Sequence, residues 1–187
     1  MDFEKVVIGR RTRRKFTSEK VSHDKLEKIV ELARFTPTGA NIQALKYAII
    51  DDELVQSIFP HTRWSGYHPE AAPSIEEQPP SYIAILGDKT IKTSNFEIDA
   101  GAAGTIISLA AENMGLAACW LGSISRDEIS KILNLDGNFE LLYLIAIGYS
   151  NQKSTYVDAE NDIKYFIDND DVLTVPKRKL RDILVEL

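Results

Sequence analysis

The stretch ELLYLIAIG, Glu140 to Gly148, is a near-continuous apolar run closed by a glycine. It lacks the alternation of a strand with one wet face, and reads as a strand buried on both sides. Three shorter runs match it. LKYAII, Leu45 to Ile50, is β-branched at its end and bounded by Asp51 and Asp52, and YIAIL covers Tyr82 to Leu86. LAACWLG, Leu116 to Gly122, ends in a glycine turn. Near the end, YFIDNDDVLTV predicts a hairpin turning at Asn169–Asp170.

Between these runs the period changes to helical. Phe3, Val6 and Val7 share one helix face, and Ser22 can cap a helix burying Leu26, Ile29, Val30 and Ala33 before Arg34. Residues 53–59 have room for one or two helical turns. DAGAAGTIISLAAENMG predicts a long helix over 99–114; its small residues Gly101, Ala102, Ala103, Gly104, Ser108 and Ala111 admit another backbone closely, at a central position or a subunit interface. Ser125 and Glu128 form a capping-box pattern ahead of Ile129, Ile132 and Leu133. KRKLRDILVEL reads as a short amphipathic helix. The fold class is therefore α+β, a central sheet of four or five strands with helices around it, in a single domain over 1–187.

Residues 60–80 stand apart. Pro60, Pro69, Pro73, Pro79 and Pro80 prevent a long regular element, and Trp64 and Tyr67 favour a loop that covers something.

The chain carries a formal net charge of -6, which weighs against a nucleic-acid partner. The opening MDFEKVV lacks an apolar signal segment, and the Ala100–Ala111 run is too short to span a bilayer, so the expectation is a cytoplasmic protein without a membrane partner. One cysteine excludes an internal disulfide, and Cys119 among apolar neighbours reads as a core thiol. His61 and His68 lack further spaced ligands, so no metal site is expected.

Against this acidic background, GRRTRRKF places five cations in the six positions Arg10 to Lys15, interrupted by Thr12. In an extended backbone Arg10, Thr12 and Arg14 share one side, while Arg11, Arg13 and Lys15 share the other. Two guanidinium forks flanking a hydroxyl suit a phosphate or the carbonyl edge of a polar ring. A second cluster, Lys177 to Lys179, follows Pro176. In PTGANIQ the carboxamides of Asn41 and Gln43 can match the edge of a heterocycle. Each cluster taken alone also fits a solvated charge run or a loop cap. No dinucleotide or Walker-type glycine motif occurs, and no acid, base or nucleophile stands out, a pattern in which a cofactor carries the reaction.

The order of RRTRRKF, TPTGANIQ, GLAACWLG, IAIGYS and VPKR resembles the nitroreductase family of FMN-dependent oxidoreductases over nearly the whole chain. The resemblance implies an α+β fold with a mostly antiparallel central sheet, and a homodimer of intertwined subunits binding FMN at the interface. It implies that Arg10, Thr12 and Arg14 hold the flavin phosphate, ribityl and pyrimidine groups. Pro37, Thr38, Gly39 and Asn41, with Gln43 alongside, resemble the stretch that reaches the flavin from the partner chain. Leu121 and Gly122 resemble the turn whose backbone amide faces flavin N5, and Lys177 and Arg178 the C-terminal phosphate ligands. Ala44 and Leu45 depart from the family's usual Pro and aromatic after Asn-x-Gln, and Thr38–Gly39 replaces a serine-rich pair, which bears on the substrate face.

The implied function is hydride transfer from NADH or NADPH through bound FMN to a small organic acceptor such as a nitroaromatic or quinone, by a ping-pong mechanism. Alternatives are a specialised reaction on the same scaffold, such as reductive dehalogenation or flavin fragmentation, and a non-catalytic FMN protein for storage or redox sensing.

Overall fold

The computed structural model describes residues 2–186. Its centre is a four-stranded antiparallel sheet in the order β1-β2-β4-β3, with β1 Leu45–Ile50, β2 Ser81–Asp88, β3 Ala117–Leu121 and β4 Phe139–Gly148. Strands β2 and β4 are interior, which explains their apolar character on both faces. Along β4, Leu144 and Ala146 join one core with Tyr82 and Ala84, while Ile145 and Ile147 join the opposite core with Ile83 and Ile85. Helices α2 (His23–Ala33) and α4 (Glu97–Asn113) cover the second of these faces. Helices α3 (Glu53–Ile58) and α5 (Arg126–Ile132) cover the first. The register between β2 and β4 shifts at Ile85/Leu86, leaving Leu142 as the extra residue. Its carbonyl is not wasted: it accepts from Arg126 Nη2 at 2.8 Å.

A smaller three-stranded sheet, in the order β5-β7-β6, comprises β5 Ser154–Asp158, β6 Phe166–Ile167 and β7 Leu173–Lys177. The expected hairpin is present as β6 and β7, with Asp171 in the left-handed region at the turn. Its parallel partner β5 carries no clear alternation and was not foreseen.

Several local expectations need correction. The C-terminal segment makes one 3-10 turn at Leu180–Asp182 rather than a helix, and Leu180, Ile183, Leu184 and Val185 are exposed. Neither Ser22 nor Ser125 makes a side-chain cap; Glu128 pairs with Lys131 at 2.8 Å instead of reaching back to residue 125. Of the apolar face of α1 (Phe3–Gly9), only Val6 is buried, while Phe3 and Val7 lie in water.

The small residues of α4 serve mainly the chain's own packing. A Cβ on Gly104 would lie 2.0 Å from Trp120 Cζ3, so the indole of β3 occupies the space that glycine leaves. Ala103, Ser108 and Ala111 are buried as well, whereas Gly101 and Ala102 remain partly open.

Candidate functional site

The basic run continues the sheet beyond β3. Thr12 bridges Ala118 in parallel fashion, and the Arg13 N–H donates to the Ala118 carbonyl at 3.3 Å. This extended pairing gives the side chains their alternation. Arg13 turns to α4, where its Nη1 meets Glu112 Oε2 at 3.0 Å, and Lys15 pairs with Glu77 at 3.4 Å. Arg14 faces the other way, its guanidinium 4.7 Å from the centre of the Tyr165 ring. The Arg14 backbone N–H is fixed by Gln152 Oε1 at 2.8 Å.

Arg10, Arg11, Thr12, Arg14, Tyr165, Leu173, Val175 and Lys177 together line a cavity of about 80 Å³. Arg11 breaks the expected alternation. It is buried, donates to the Ile8 carbonyl, and stacks on the Tyr156 ring at 5.3 Å. The backbone leaves α1 at Gly9–Arg10, so strict strand geometry has not yet begun at Arg11. Burial lowers the Arg11 pKa, and Arg10 lowers it further. Lys177 is lowered too, by burial and then by Arg11 and Arg10. No carboxylate lines this cavity. Cations that depress one another are relieved by an anion, and the cavity has room for a single phosphate-sized group. Arg178 lies outside the cavity, although like Lys177 it is exposed.

Leu121 is buried at the end of β3, and Gly122 is exposed where the chain leaves the sheet. Arg126 Nη2 ties this turn together by donating to the Gly122 carbonyl at 3.2 Å as well as to Leu142. The Pro-rich segment is pinned here: Thr62 bridges Ile124, the Arg63 N–H donates to the Ser123 carbonyl at 3.0 Å, and the Ser125 N–H donates to the His61 carbonyl at 2.9 Å. Further along, Tyr67 and His68 pack on Tyr165 with ring centres 5.4 and 5.8 Å apart, and Ser65 hydrogen-bonds the Tyr165 hydroxyl. The Phe16 N–H donates to the Glu77 carbonyl at 2.9 Å at the far end. Residues 60–80 thus arch from the turn after β3 to the Arg14–Tyr165 stack and back to the basic run.

The other predicted group lies elsewhere. Pro37 to Gln43 lead into β1, at the opposite edge of the sheet from Thr12. Four inter-strand steps separate the two edges, about 19 Å at the usual spacing. Helix α4 gives the same measure: Arg13 is held by Glu112 near its C-terminus, whereas the Gly39 N–H donates to Asp99 Oδ1 near its N-terminus. The 13 residues between them rise about 20 Å. The stretch is not extended, so strand alternation does not set Asn41 and Gln43 on one side. Ala40, Asn41 and Gln43 all have left-handed φ. The Gln43 N–H donates to Thr38 Oγ1 at 3.2 Å, and its carboxamide folds back towards the Asn41 carbonyl.

Sequence reasoning missed Arg11, Tyr156 and Tyr165. Arg11 stood in the run but was excluded by alternation. Nothing in the sequence around Tyr165 signalled that a short distant sheet would stack it on Arg14.

Cys119 is buried, and desolvation pushes its thiol up to about 12, as befits a core thiol. No group of His, Cys, Asp and Glu suited to a metal occurs among the described residues.

The sequence profile described as the nitroreductase family matches residues 7–149. An Archaeoglobus fulgidus relative whose name points to an NADH dehydrogenase/NAD(P)H nitroreductase is 22% identical over 165 residues, covering 84% of this chain and 90% of its own. A Bacillus subtilis protein named FMN reductase (NADPH) is 25% identical over 164 residues, covering 76% of this chain and 64% of its own. Among solved structures, an FMN-dependent nitroreductase from Clostridium difficile superposes with a TM-score of 0.64 at 24% identity, covering 85% and 92% of the two chains. The chain belongs to the nitroreductase family, and its α+β architecture is that family's fold.

Proposed function

We propose that residues 1–187 form a single FMN-binding domain that works as a homodimeric NAD(P)H oxidoreductase in the cytoplasm. The observation that carries this reading is the acid-free cavity of Arg10, Arg11, Thr12, Arg14 and Lys177, which suits the terminal phosphate of FMN. A phosphate monoester brings a charge of roughly -1.5 to -2 at neutral pH. Arg178 would contribute from the rim. When bound, FMN supplies the hydride chemistry, passing electrons from NADH or NADPH to a small organic acceptor such as a nitroaromatic or quinone. The protein binds, orients and shields.

Gly122 would present its backbone amide to the ring, with Leu121 anchoring the turn in the core. Residues 60–80 would cover the ground between that turn and Tyr165. A homodimer is supported by the separation of the two groups of predicted residues. Phosphate ligands sit beside β3, while Pro37, Thr38, Gly39, Asn41 and Gln43 sit before β1. A second copy would bring its own 37–43 turn to the flavin. Exposed apolar side chains adjoin both segments: Phe3, Val7 and Ile8 precede the basic run, Phe35 precedes the turn and Ile42 lies within it.

The test is anaerobic addition of NADH or NADPH to the purified protein. Rapid loss of oxidised-flavin absorbance, restored by a nitroaromatic or quinone, is the expected result. Bleaching by dithionite alone would leave a carrier or sensor and remove the enzyme.

A further inference from the structure

The pairing of β3 with β4 stops at Leu121 and Leu144, so Tyr143 and Leu142 of β4 run on past the end of β3. Leu142 also has no partner in β2, because the register shift at Ile85/Leu86 passes it over. Arg126, the first residue of α5, reaches back into this gap. Its Nη2 donates to the Leu142 carbonyl at 2.8 Å and to the Gly122 carbonyl at 3.2 Å, and so stands in for the ladder where β3 leaves the sheet.

Gly122 is the soft point of the turn that follows. It is exposed, its φ lies outside the left-handed region, and a Cβ there would meet Tyr143 at an ordinary 3.5 Å. Neither crowding nor backbone strain fixes its conformation, and glycine lacks the Cβ that narrows φ and ψ in other residues. Hydrogen bonds must do so instead. Arg126 holds the Gly122 carbonyl, and the Arg63 N–H donates to the Ser123 carbonyl at 3.0 Å. Among the described residues the N–H groups of Gly122 and Ser123 have no acceptor. The turn has its carbonyls tied down and its donors free.

Arg126 brings charge as well as donors. Its hydrogen-bond acceptors here are carbonyls rather than carboxylates, so no ion pair at these contacts offsets the guanidinium. A cation bonded to a carbonyl polarises that peptide, and positive charge near flavin N5 favours the electron-rich reduced ring.

We propose that Arg126 is a positioning residue for the flavin turn: it fixes the direction of the free donors by holding the Gly122 carbonyl, and its charge raises the reduction potential of the bound cofactor. The inference rests on the flavoenzyme reading, in which Gly122 presents its amide to the ring.

The experiment is reduction of the FMN-loaded wild type, Arg126→Met, Arg126→Lys and Arg126→Gln by dithionite beside a reference dye, with the midpoint potential read from the two spectra. In Arg126→Met the preference for reduced over oxidised flavin is expected to fall about tenfold, which a two-electron couple reports as a drop of about 30 mV. Arg126→Lys keeps charge and donors and retains most of the wild-type potential. Arg126→Gln keeps donors without charge and falls between. Without flavin, hydrogen exchange at the Arg63 and Ser125 amides, which tie residues 61–63 to the turn, should quicken several-fold in Arg126→Met and stay near the wild type in Arg126→Lys. An unchanged potential in Arg126→Met, or a drop that Arg126→Lys shares in full, overturns the proposal. Should Arg126→Met not fold, Arg126→Gln against Arg126→Lys makes the same comparison. Neither readout needs turnover. If NAD(P)H fails to reduce the flavin while the charge-dependent drop stands, the enzyme reading falls and Arg126 keeps its role. If the wild type takes up no FMN, the flavin reading falls and the proposal with it.

Discussion

The run Arg10–Lys15 and the turn Pro37–Gln43 are built in opposite ways. The run is tied to β3 by backbone pairing, to α4 by Arg13–Glu112 and to the small sheet by Arg14–Tyr165. Its cations have a cavity with a defined wall. The turn is mostly exposed and held largely by its own atoms, with the Gly39–Asp99 bond linking it to α4. Its left-handed residues Ala40, Asn41 and Gln43 carry strain of about 1–3 kcal/mol each. One segment is enclosed by its own chain, whereas most of the other is exposed. The proposed site shared between two copies would draw on that difference.

Helix α4 keeps the two segments apart, so disturbing its seat is the most severe way to break the comparison. Gly104→Leu drives a side chain into the Trp120 ring, where even a Cβ would lie 2.0 Å from Cζ3. Overpacking of this kind costs about 1–3 kcal/mol or more, and here the obstacle is a rigid indole wedged against Tyr143. Urea denaturation should show a loss of about 3 kcal/mol or no folded protein at all. A midpoint near that of the wild type would mean that α4 can slide, and that the separation is not fixed.

Within the basic run, Arg13 and Arg14 should separate binding from stability. Arg14→Ala and Arg11→Ala each remove a donor from the cavity proposed for the phosphate, an expected loss of about 1.5–3 kcal/mol, or roughly ten- to a hundred-and-fifty-fold in FMN affinity. Arg13→Ala should change affinity only a few-fold. It leaves Glu112, only 15% exposed, without its partner, and should cost about 1–3 kcal/mol of stability. Thr12→Val should fall between Arg13 and Arg14 in affinity. Flavin-fluorescence titration at one salt concentration, paired with denaturation curves, reads both effects. Equal affinity losses at Arg13 and Arg14 would reduce the run to diffuse charge.

How far the sequence revealed this comparison depended on the range of the forces involved. The β4 run announced its burial because almost every residue from Leu141 onward is buried and had to be apolar, and β1 was bounded by its aspartates. Alternation from Thr12 onward was legible because a bridge to Ala118 makes the segment a strand. Arg11 was not, because its direction is set by the end of α1 and by Tyr156, which is 145 positions away in the chain. The geometry of Asn41 and Gln43 was not legible, because contacts with Thr38 and Asp99 help hold left-handed turns there. The C-terminal helix failed because Leu180, Ile183 and Leu184 have no surface of this chain to pack on.

Cys119 tests whether the strand beside the cradle contributes chemistry as well as support. With its thiol pushed up to about 12 by burial, it carries almost no thiolate at neutral pH. It should resist a disulfide reagent until denaturant is added. Cys119→Ala should cost about 1 kcal/mol in packing and leave turnover within several-fold. A loss on the order of a thousandfold with FMN still bound would make the thiol part of the reaction.

The smallest effect should come from Ala40→Gly, and it addresses the strained side of the comparison. Ala40 has φ 49°, a conformation that costs an L-residue about 1–2 kcal/mol and glycine almost nothing. Glycine gives back roughly 0.4–1 kcal/mol through the freedom of the unfolded chain. The net gain is about half a kcal/mol, or a rise of about 1–2 °C in a domain of this size. If the turn is preshaped for a partner's flavin, the same change should loosen it and weaken FMN binding a few-fold. Stability and affinity should therefore move in opposite directions, a pairing that a purely structural turn does not produce. Thermal melts and flavin titrations on the same preparation decide it. A higher melting temperature with unchanged affinity would place the strain in the chain's own folding and take the turn away from the flavin.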